Sequence, residues 1–244
     1  MTTPFGGTGP GAQRVLRWPG CGNVRDLGGL PTVGGGRIRS GVLLRGDRPR
    51  EASVAAMLDH GVRLVVDLRS HAERAVDPGP SEARIVWRHV PVLREEDAVL
   101  EEMADTLTGI YLRILNHGAR SLAAVVSAIA HAPADAALVH CHSGKDRTGL
   151  AVALTLTLAG VRPADVAADY AMTAACMSLD THLAALSGEA ERARSRRLFA
   201  EVAPDTMLAA LAHLDDRYGG VAAYLREGGL PAADADLLRA RLAT

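Results

Sequence analysis

Lysine is nearly missing from this chain: Lys145 stands alone, and the other 26 of the 27 Lys and Arg residues are arginine. An ammonium is compact and strongly hydrated while a guanidinium is a planar fork, so the two are not interchangeable in a tight anion site. A lysine surviving in so arginine-rich a chain marks a position to watch. Paired cysteines are lacking as well. Cys21, Cys141 and Cys176 are odd in number and far apart, which excludes a disulfide framework and a CxxC metal pattern and leaves at least one candidate free thiol. No stretch reaches ~18 uninterrupted apolar residues, so no membrane span or stable membrane insertion is expected. The start of the chain has no basic region leading into an apolar run. The expectation is a cytoplasmic protein, with export by a route that needs no signal peptide left open. A net charge of -1 sets nucleic acid aside as a partner, although local positive charge can still serve an anionic ligand.

What is present is a hydrophobic content of 48% in 244 residues, enough for the core of one large domain. Residues 1–20 start Gly/Pro/Thr-rich and read as a flexible N-terminus; residues 21–244 read as a single domain. Gly34-Gly35-Gly36 separates two short extended pieces, a hairpin signal. Gly41 to Arg45, Val62 to Leu68, Arg84 to Val90 and Ala136 to His140 read as strands, and Glu51 to His60 as a helix. Residues 101–131 carry a helical stripe of Leu107, Ile110, Tyr111, Ile114 and Leu115, with a second helical run from Ser121. Thr148 to Leu158 is apolar throughout and reads as a buried helix. From Pro163 the pattern is helical to the end, with Gly219-Gly220 and Gly228-Gly229 closing two helices. Within residues 174–203, the basic cluster Arg192, Arg194, Arg196 and Arg197 fits either a solvated helix or an inserted helical lid. Strands alternating with helices early and helices late indicate an α/β core with a helical C-terminal part.

Chemistry concentrates between the strand that ends at His140 and the buried helix. There the chain reads Cys141-His142-Ser143-Gly144-Lys145-Asp146-Arg147-Thr148-Gly149. Gly144 permits a tight turn. Successive backbone N–H groups from His142 and Ser143 onward can then face one concavity with a helix N-terminus behind it, which is an anion nest. Arg147 can fork two phosphate oxygens. Cys141 lies at the entrance among positive dipoles that favour its thiolate. The expected reaction is in-line attack of Cys141 on phosphorus, giving a cysteinyl-phosphate that water then hydrolyses. Arg147 and the loop amides would stabilise the equatorial oxygens. Thr148 can hydrogen-bond the sulfur as it leaves, and His140 can fix the loop. The His142 ring is expected to point outward. Lys145 adds charge, either for the same phosphate or for a second anionic group.

The loop resembles that of the protein-tyrosine-phosphatase superfamily, and more closely its bacterial atypical branch of protein tyrosine and phosphoinositide phosphatases, whose loop reads H-C-x-x-G-K-D-R-T-G. Asn23-Val24-Arg25-Asp26-Leu27-Gly28-Gly29 is similar to that branch's N-x-R-D-x-G-G element, and Val66-Asp67-Leu68-Arg69-Ser70 to its D-L-R-S strand end. Asp169-Tyr170 and the stretch from Asp215 to Gly229 match its general pattern. The resemblance covers most of residues 23–230 and is loosest in the middle and over 174–203. It implies a phosphatase fold with a central sheet flanked by helices, a two-step cysteine mechanism, and no metal or other cofactor. It also implies activity on phosphotyrosine, sometimes phosphoserine or phosphothreonine, and on phosphoinositides.

The leaving oxygen needs a proton, and two carboxyl groups qualify. Asp146 lies within the loop, and Asp67 lies at the C-terminal end of a strand, the usual active edge of α/β folds. A neighbouring phosphate dianion favours the protonated form of either. Trp18-Pro19-Gly20 begins like the W-P-D loop of many relatives but lacks the carboxylate. Arg25 and Asp26 are expected to tie the N-terminal segment to the core. Two other functions stay open: a metabolic phosphatase for a nucleotide or sugar phosphate, which the 3% aromatic content favours slightly, and a non-catalytic phosphate-binding module, against which Cys141, Arg147 and Thr148 argue. Oligomeric state is not legible.

Overall fold

The structure is a computed structural model and describes residues 12–93, 104–184 and 188–244. Five strands make one sheet: β1 (Arg25–Asp26), β2 (Leu43–Gly46), β3 (Val62–Asp67), β4 (Val86–His89) and β5 (Ala136–His140). Their spatial order is β1-β2-β5-β3-β4. β1 runs antiparallel to β2, and the other pairings are parallel. β5 lies between β2 and β3, and all its residues are buried, so it reads as a continuous apolar run. Side-chain alternation sorts the two faces of the sheet. Leu43, Leu64, Val66, Ala137 and Val139 enter the larger core, whereas Leu44, Val65 and Leu138 enter a smaller one with Trp18, Val24 and Met57.

Met57 comes from α1 (Val54–Asp59), which follows a 3-10 turn at Glu51–Ser53. α2 (His71–Val76) follows β3 directly. The larger core is built on α3 (Leu107–Ala130) and α4 (Asp146–Leu158). Against them pack α5 (Pro163–Cys176), α8 (Pro204–Tyr218), α9 (Val221–Glu227) and α10 (Ala232–Leu242). α3 starts at Thr106, whose hydroxyl accepts from Gly109 N at 3.1 Å, a standard N-cap. It is one continuous helix, so the expected second run from Ser121 is not separate: Leu122, Val125, Val126 and Ile129 extend the buried stripe. Every α4 residue from Thr148 to Leu156 is buried, as expected of a helix apolar all round. α4 begins two residues before the apolar run, which places Asp146 and Arg147 in its first turn.

The expected α/β architecture, a central sheet flanked by helices with a helical C-terminal part, is what the structure contains. Of the stretch expected to be flexible, residues 1–11 lie outside the described residues, whereas residues 12–20 are docked: Leu16 N donates to Val24 O at 2.9 Å and Trp18 is buried. Residues 174–203 are mostly helical, with α6 (Leu179–Ala184) and α7 (Glu189–Ala200); residues 185–187 of that stretch lie outside the described residues. Among the described residues no helix is long and apolar enough to cross a membrane. The parallel register aligns Gly46 and Asp67 with His140, so the chain leaves β2, β3 and β5 at one common edge.

Candidate active site

At that edge the chain passes from β5 into α4 through Cys141 to Lys145. Gly144 has φ +67°, and a Cβ there would lie 2.3 Å from Gly46 O, so only glycine satisfies both the backbone and the space. Each carbonyl of this segment is taken from outside the loop's concavity. Cys141 O meets His140 Nδ1 at 3.0 Å, and His142 O accepts from Arg48 N at 3.1 Å. Ser143 O accepts from Asn23 Nδ2 at 3.0 Å, and Gly144 O accepts from Arg45 Nη2 at 2.8 Å and from Asn23 Nδ2 at 3.2 Å. Lys145 O accepts from Gly149 N at 2.9 Å in the first turn of α4. In a trans peptide the N–H points opposite to the C=O. Carbonyls held by these partners turn the amides of His142, Ser143, Gly144, Lys145 and Asp146 away from them, ahead of the first turn of α4. Such a set of amides at a helix N-terminus can serve as an anion nest.

Two of the groups that fix those carbonyls, Asn23 and Arg45, rest on a buried cluster. Asp169 of α5 accepts from Arg14 at 2.7 Å and Arg45 at 3.0 Å, and Arg25 Nε lies 3.6 Å away. Arg25 also donates to the side-chain oxygen of Asn23 and to Thr173 Oγ1. Burial alone would raise the Asp169 pKa, but Arg25, Arg45 and Arg14 outweigh it and hold the carboxyl at about 2. Burial and the neighbouring Arg25 charge lower Arg45 to about 10, which still leaves it cationic at neutral pH. Asp47 adds a turn clamp, accepting from Gly22 N and Asn23 N. The expectation that Arg25 and Asp26 serve the N-terminal segment agrees with this: Asp26 accepts from Gly28 N at 2.8 Å and Gly41 N at 2.9 Å.

In front of the nest, Arg147 Nη1 and Nη2 donate to Glu73 of α2 at 2.5 and 2.8 Å. Glu73 also accepts from Ser70 N, closing the capping box of α2. Burial would raise Glu73, but the Arg147 hydrogen bonds and charge prevail and lower it to about 2. Cys141 is buried at the head of the loop. Thr148 is fully buried, and its hydroxyl has no hydrogen-bond partner among the described residues. The His142 ring is turned outward against Arg48, whose Nη1 lies 3.1 and 2.9 Å from the two ring nitrogens. Arg48 and Arg50 share Asp77 at 2.6 and 3.7 Å. Lys145 is buried with its Nζ 3.4 Å from Asp146 Oδ1, and Tyr111 OH donates to the same oxygen at 2.8 Å. Burial and then the charge of Lys145 lower His182 of α6, while Asp146 raises it, so α6 stands within electrostatic reach of the loop.

Asp67 does not share this arrangement. Its carboxylate accepts from Arg69 Nε at 3.0 Å and Nη2 at 2.8 Å and from Arg69 N at 3.0 Å, with Arg74 at 3.4 Å. Burial opposes ionisation, but the Arg69 hydrogen bonds and the His140 charge win and lower its pKa. A carboxylate so tied is a poor proton donor at neutral pH, which weighs against the expectation that Asp67 could be the acid. Burial also lowers His140 to about 4, and the neutral ring is left to bond Cys141 O. Sequence reasoning missed Glu73 and Asp47, and gave Tyr111 and Tyr170 no place beside Asp146. The Ser70-x-x-Glu73 capping box marked a helix start but gave no sign that Glu73 reaches Arg147.

The family model described as "Tyrosine phosphatase family" matches residues 16–244. A putative tyrosine-protein phosphatase of Cupriavidus necator is 31% identical over 219 residues, covering 84% of this chain and 80% of that one. A tyrosine-protein phosphatase of Nostoc commune is 29% identical over 80% of this chain and 71% of its own length. The triple specificity protein phosphatase PtpB of Mycobacterium tuberculosis is 27% identical over 92% of this chain and 98% of its own. The chain belongs to the tyrosine phosphatase family and is a phosphatase of the protein-tyrosine-phosphatase type.

Proposed function

We propose that this chain hydrolyses phosphate monoesters, foremost phosphotyrosine in proteins, through a cysteinyl-phosphate on Cys141. The observation that carries the reading is the outward fixing of every carbonyl from Cys141 to Lys145. It leaves inward amides as a preformed cradle for three phosphate oxygens, with Arg147 at the mouth. In the first step a bond forms from sulfur to phosphorus, and the ester P–O bond breaks. Asp146 gives its proton to the departing oxygen. In the second step Asp146, now a carboxylate, takes a proton from water as the water oxygen attacks phosphorus. The S–P bond then breaks, and inorganic phosphate leaves with the thiolate restored. The orphan Thr148 hydroxyl suits a hydrogen bond to that departing sulfur. The cradle and guanidinium stabilise both transition states because their dipoles need no reorganisation.

Phosphoinositides are the second reading. Lys145 inside the loop, with Arg48 and Arg50 sharing one carboxylate at the rim, supplies more positive charge than one phosphate uses. The name of PtpB, with its triple specificity, is compatible with either substrate. The test is a panel of phosphotyrosine peptides, phosphoinositides and nucleotide monophosphates, with Cys141→Ser as control. Turnover of phosphotyrosine peptides, lost by at least ~1,000-fold in Cys141→Ser, is expected. Phosphate binding without turnover in the wild-type protein would mean a binding module instead.

A further inference from the structure

The general acid proposed above is held from behind by two buried phenols. Tyr111 of α3 and Tyr170 of α5 are both fully enclosed, their rings edge-on with centroids 5.9 Å apart. Their hydroxyl oxygens are 2.7 Å apart, and Tyr111 OH donates to Asp146 Oδ1 at 2.8 Å. With Asp146 Oδ1 as the acceptor, the chain runs one way. Tyr111 has one proton and gives it to Asp146, so Tyr170 must give its own to the Tyr111 oxygen. Burial first, then the nearby Asp146 charge, pushes both phenols upward, so both keep their protons at working pH. The approach of Tyr170 depends on Gly149 of α4: a Cβ there would lie 3.1 and 3.2 Å from two Tyr170 ring carbons. Gly149 in the loop motif and Tyr170 beside Asp169 are thus two halves of one contact.

We infer that Tyr111 and Tyr170 are positioning residues that fix which oxygen of Asp146 carries the catalytic proton. The inference rests on the reading of Asp146 as the general acid. A neutral carboxyl has a single O–H. With a phenol donating into Oδ1, and Lys145 Nζ 3.4 Å from the same atom, the acid's own proton is driven onto Oδ2. The phenol also blocks rotation of the carboxyl group. A proton committed to one oxygen at one angle shortens the search for the leaving group, and the two-phenol relay strengthens the bond that enforces it. The same α5 dipeptide therefore serves two ends of the loop. Asp169 anchors the arginine whose donor fixes Gly144 O, and Tyr170 anchors the acid.

The test compares two aryl phosphates that differ in leaving-group quality, phenyl phosphate (poor) and p-nitrophenyl phosphate (good), in Asp146→Asn, Tyr111→Phe, Tyr170→Phe and the Asp146→Asn/Tyr111→Phe double variant. Asp146→Asn examines the underlying reading by itself: equal losses on both substrates overturn the acid role, and this inference with it. With that role intact, Tyr111→Phe should lower kcat/KM for phenyl phosphate about tenfold, within the range of a general-acid effect. For p-nitrophenyl phosphate the loss should be under about twofold, and inhibition by inorganic phosphate should be unchanged. In the double variant the tyrosine change should cost nothing further, since the proton it directs is gone. Tyr170→Phe, which leaves the Tyr111 bond in place, should show the same selectivity at about threefold, and it decides the matter if Tyr111→Phe does not fold. Equal losses on both substrates in the tyrosine variants, or additive losses in the double variant, would reduce the pair to a packing contact and overturn the inference.

Discussion

Arginine meets carboxylate on two sides of the phosphate loop. Behind it, Asp169 faces Arg14, Arg25 and Arg45, with the carboxylate and the Arg25 and Arg45 side chains almost without exposure. In front of it, Glu73 faces Arg147, with His142 Nδ1 4.0 Å from the same carboxylate, and the Glu73 and Arg147 side chains are partly open to solvent. The rear cluster carries three cations for one anion, and a spare donor of Arg45 goes to the Gly144 carbonyl. It is a scaffold, because a buried charge deprived of its partner is very costly. It also leaves net positive charge beside the anion nest. The front pair is partly open to solvent and can reorganise when a phosphate arrives, because exposed pairs are weak. The same pair chemistry therefore makes an immovable part in one place and a movable one in the other, and burial decides which.

The largest effect should come from breaking the rear cluster. Asp169→Asn leaves Arg25 and Arg45 buried without their anion and should cost about 3–5 kcal/mol of stability, lowering Tm by about 10 °C in a chain of this size. Thermal and urea unfolding measure it. Unchanged unfolding with activity alone reduced would erase the distinction between the two sites. Next in size is Arg147→Lys at the front. Losing the planar fork should lower kcat/KM by about 100-fold or more, while urea unfolding shifts by less than about 1 kcal/mol. Glu73→Gln should be milder still. Arg147 loses its orienting partner but keeps its charge, so kcat/KM should fall about tenfold, chiefly as weaker binding of inorganic phosphate. An unaltered phosphate inhibition constant would show that Glu73 does not preset the guanidinium.

The rear site was partly legible in the sequence and the front site hardly at all. Asn23, Arg25 and the Asp169-Tyr170 pair stood out by resemblance, yet nothing in their spacing said that one carboxylate would collect three arginines from three segments. The cysteine loop itself was readable because its chemistry is contiguous: strand, glycine turn and helix start lie within eleven residues of sequence, from Val139 to Gly149. Asp67 shows the limit of that kind of reading. Its place at a strand end was right, but whether a carboxylate there is an acid or an ion-pair acceptor depends on where Arg69 and Arg74 fold back. The second helical run expected from Ser121 is the continuation of the first, because the buried stripe runs on through Gly118 and Leu122. Glu73 was invisible because its partner lies 74 residues away.

The smallest expected difference separates the two sites by acid and salt. Both carboxyls are held at about 2, Glu73 from an ordinary 4.5 and Asp169 from 3.8. A carboxyl whose folded pKa is depressed stabilises the fold above its unfolded pKa, and that contribution is lost as pH falls toward the folded value. Wild type should therefore lose stability between about pH 4.5 and pH 2, and the Glu73→Gln variant should lose slightly less. Because Glu73 is partly exposed, screening limits its share to under about 1 kcal/mol, and ~1 M salt should remove it. The Asp169 contribution is shielded by burial and should survive the same salt. Urea unfolding at pH 7 and pH 3, each at low and high salt, measures both. If wild type and Glu73→Gln diverge on acidification as strongly in salt as without it, the front pair is as rigid as the rear one, and burial is not what sets them apart.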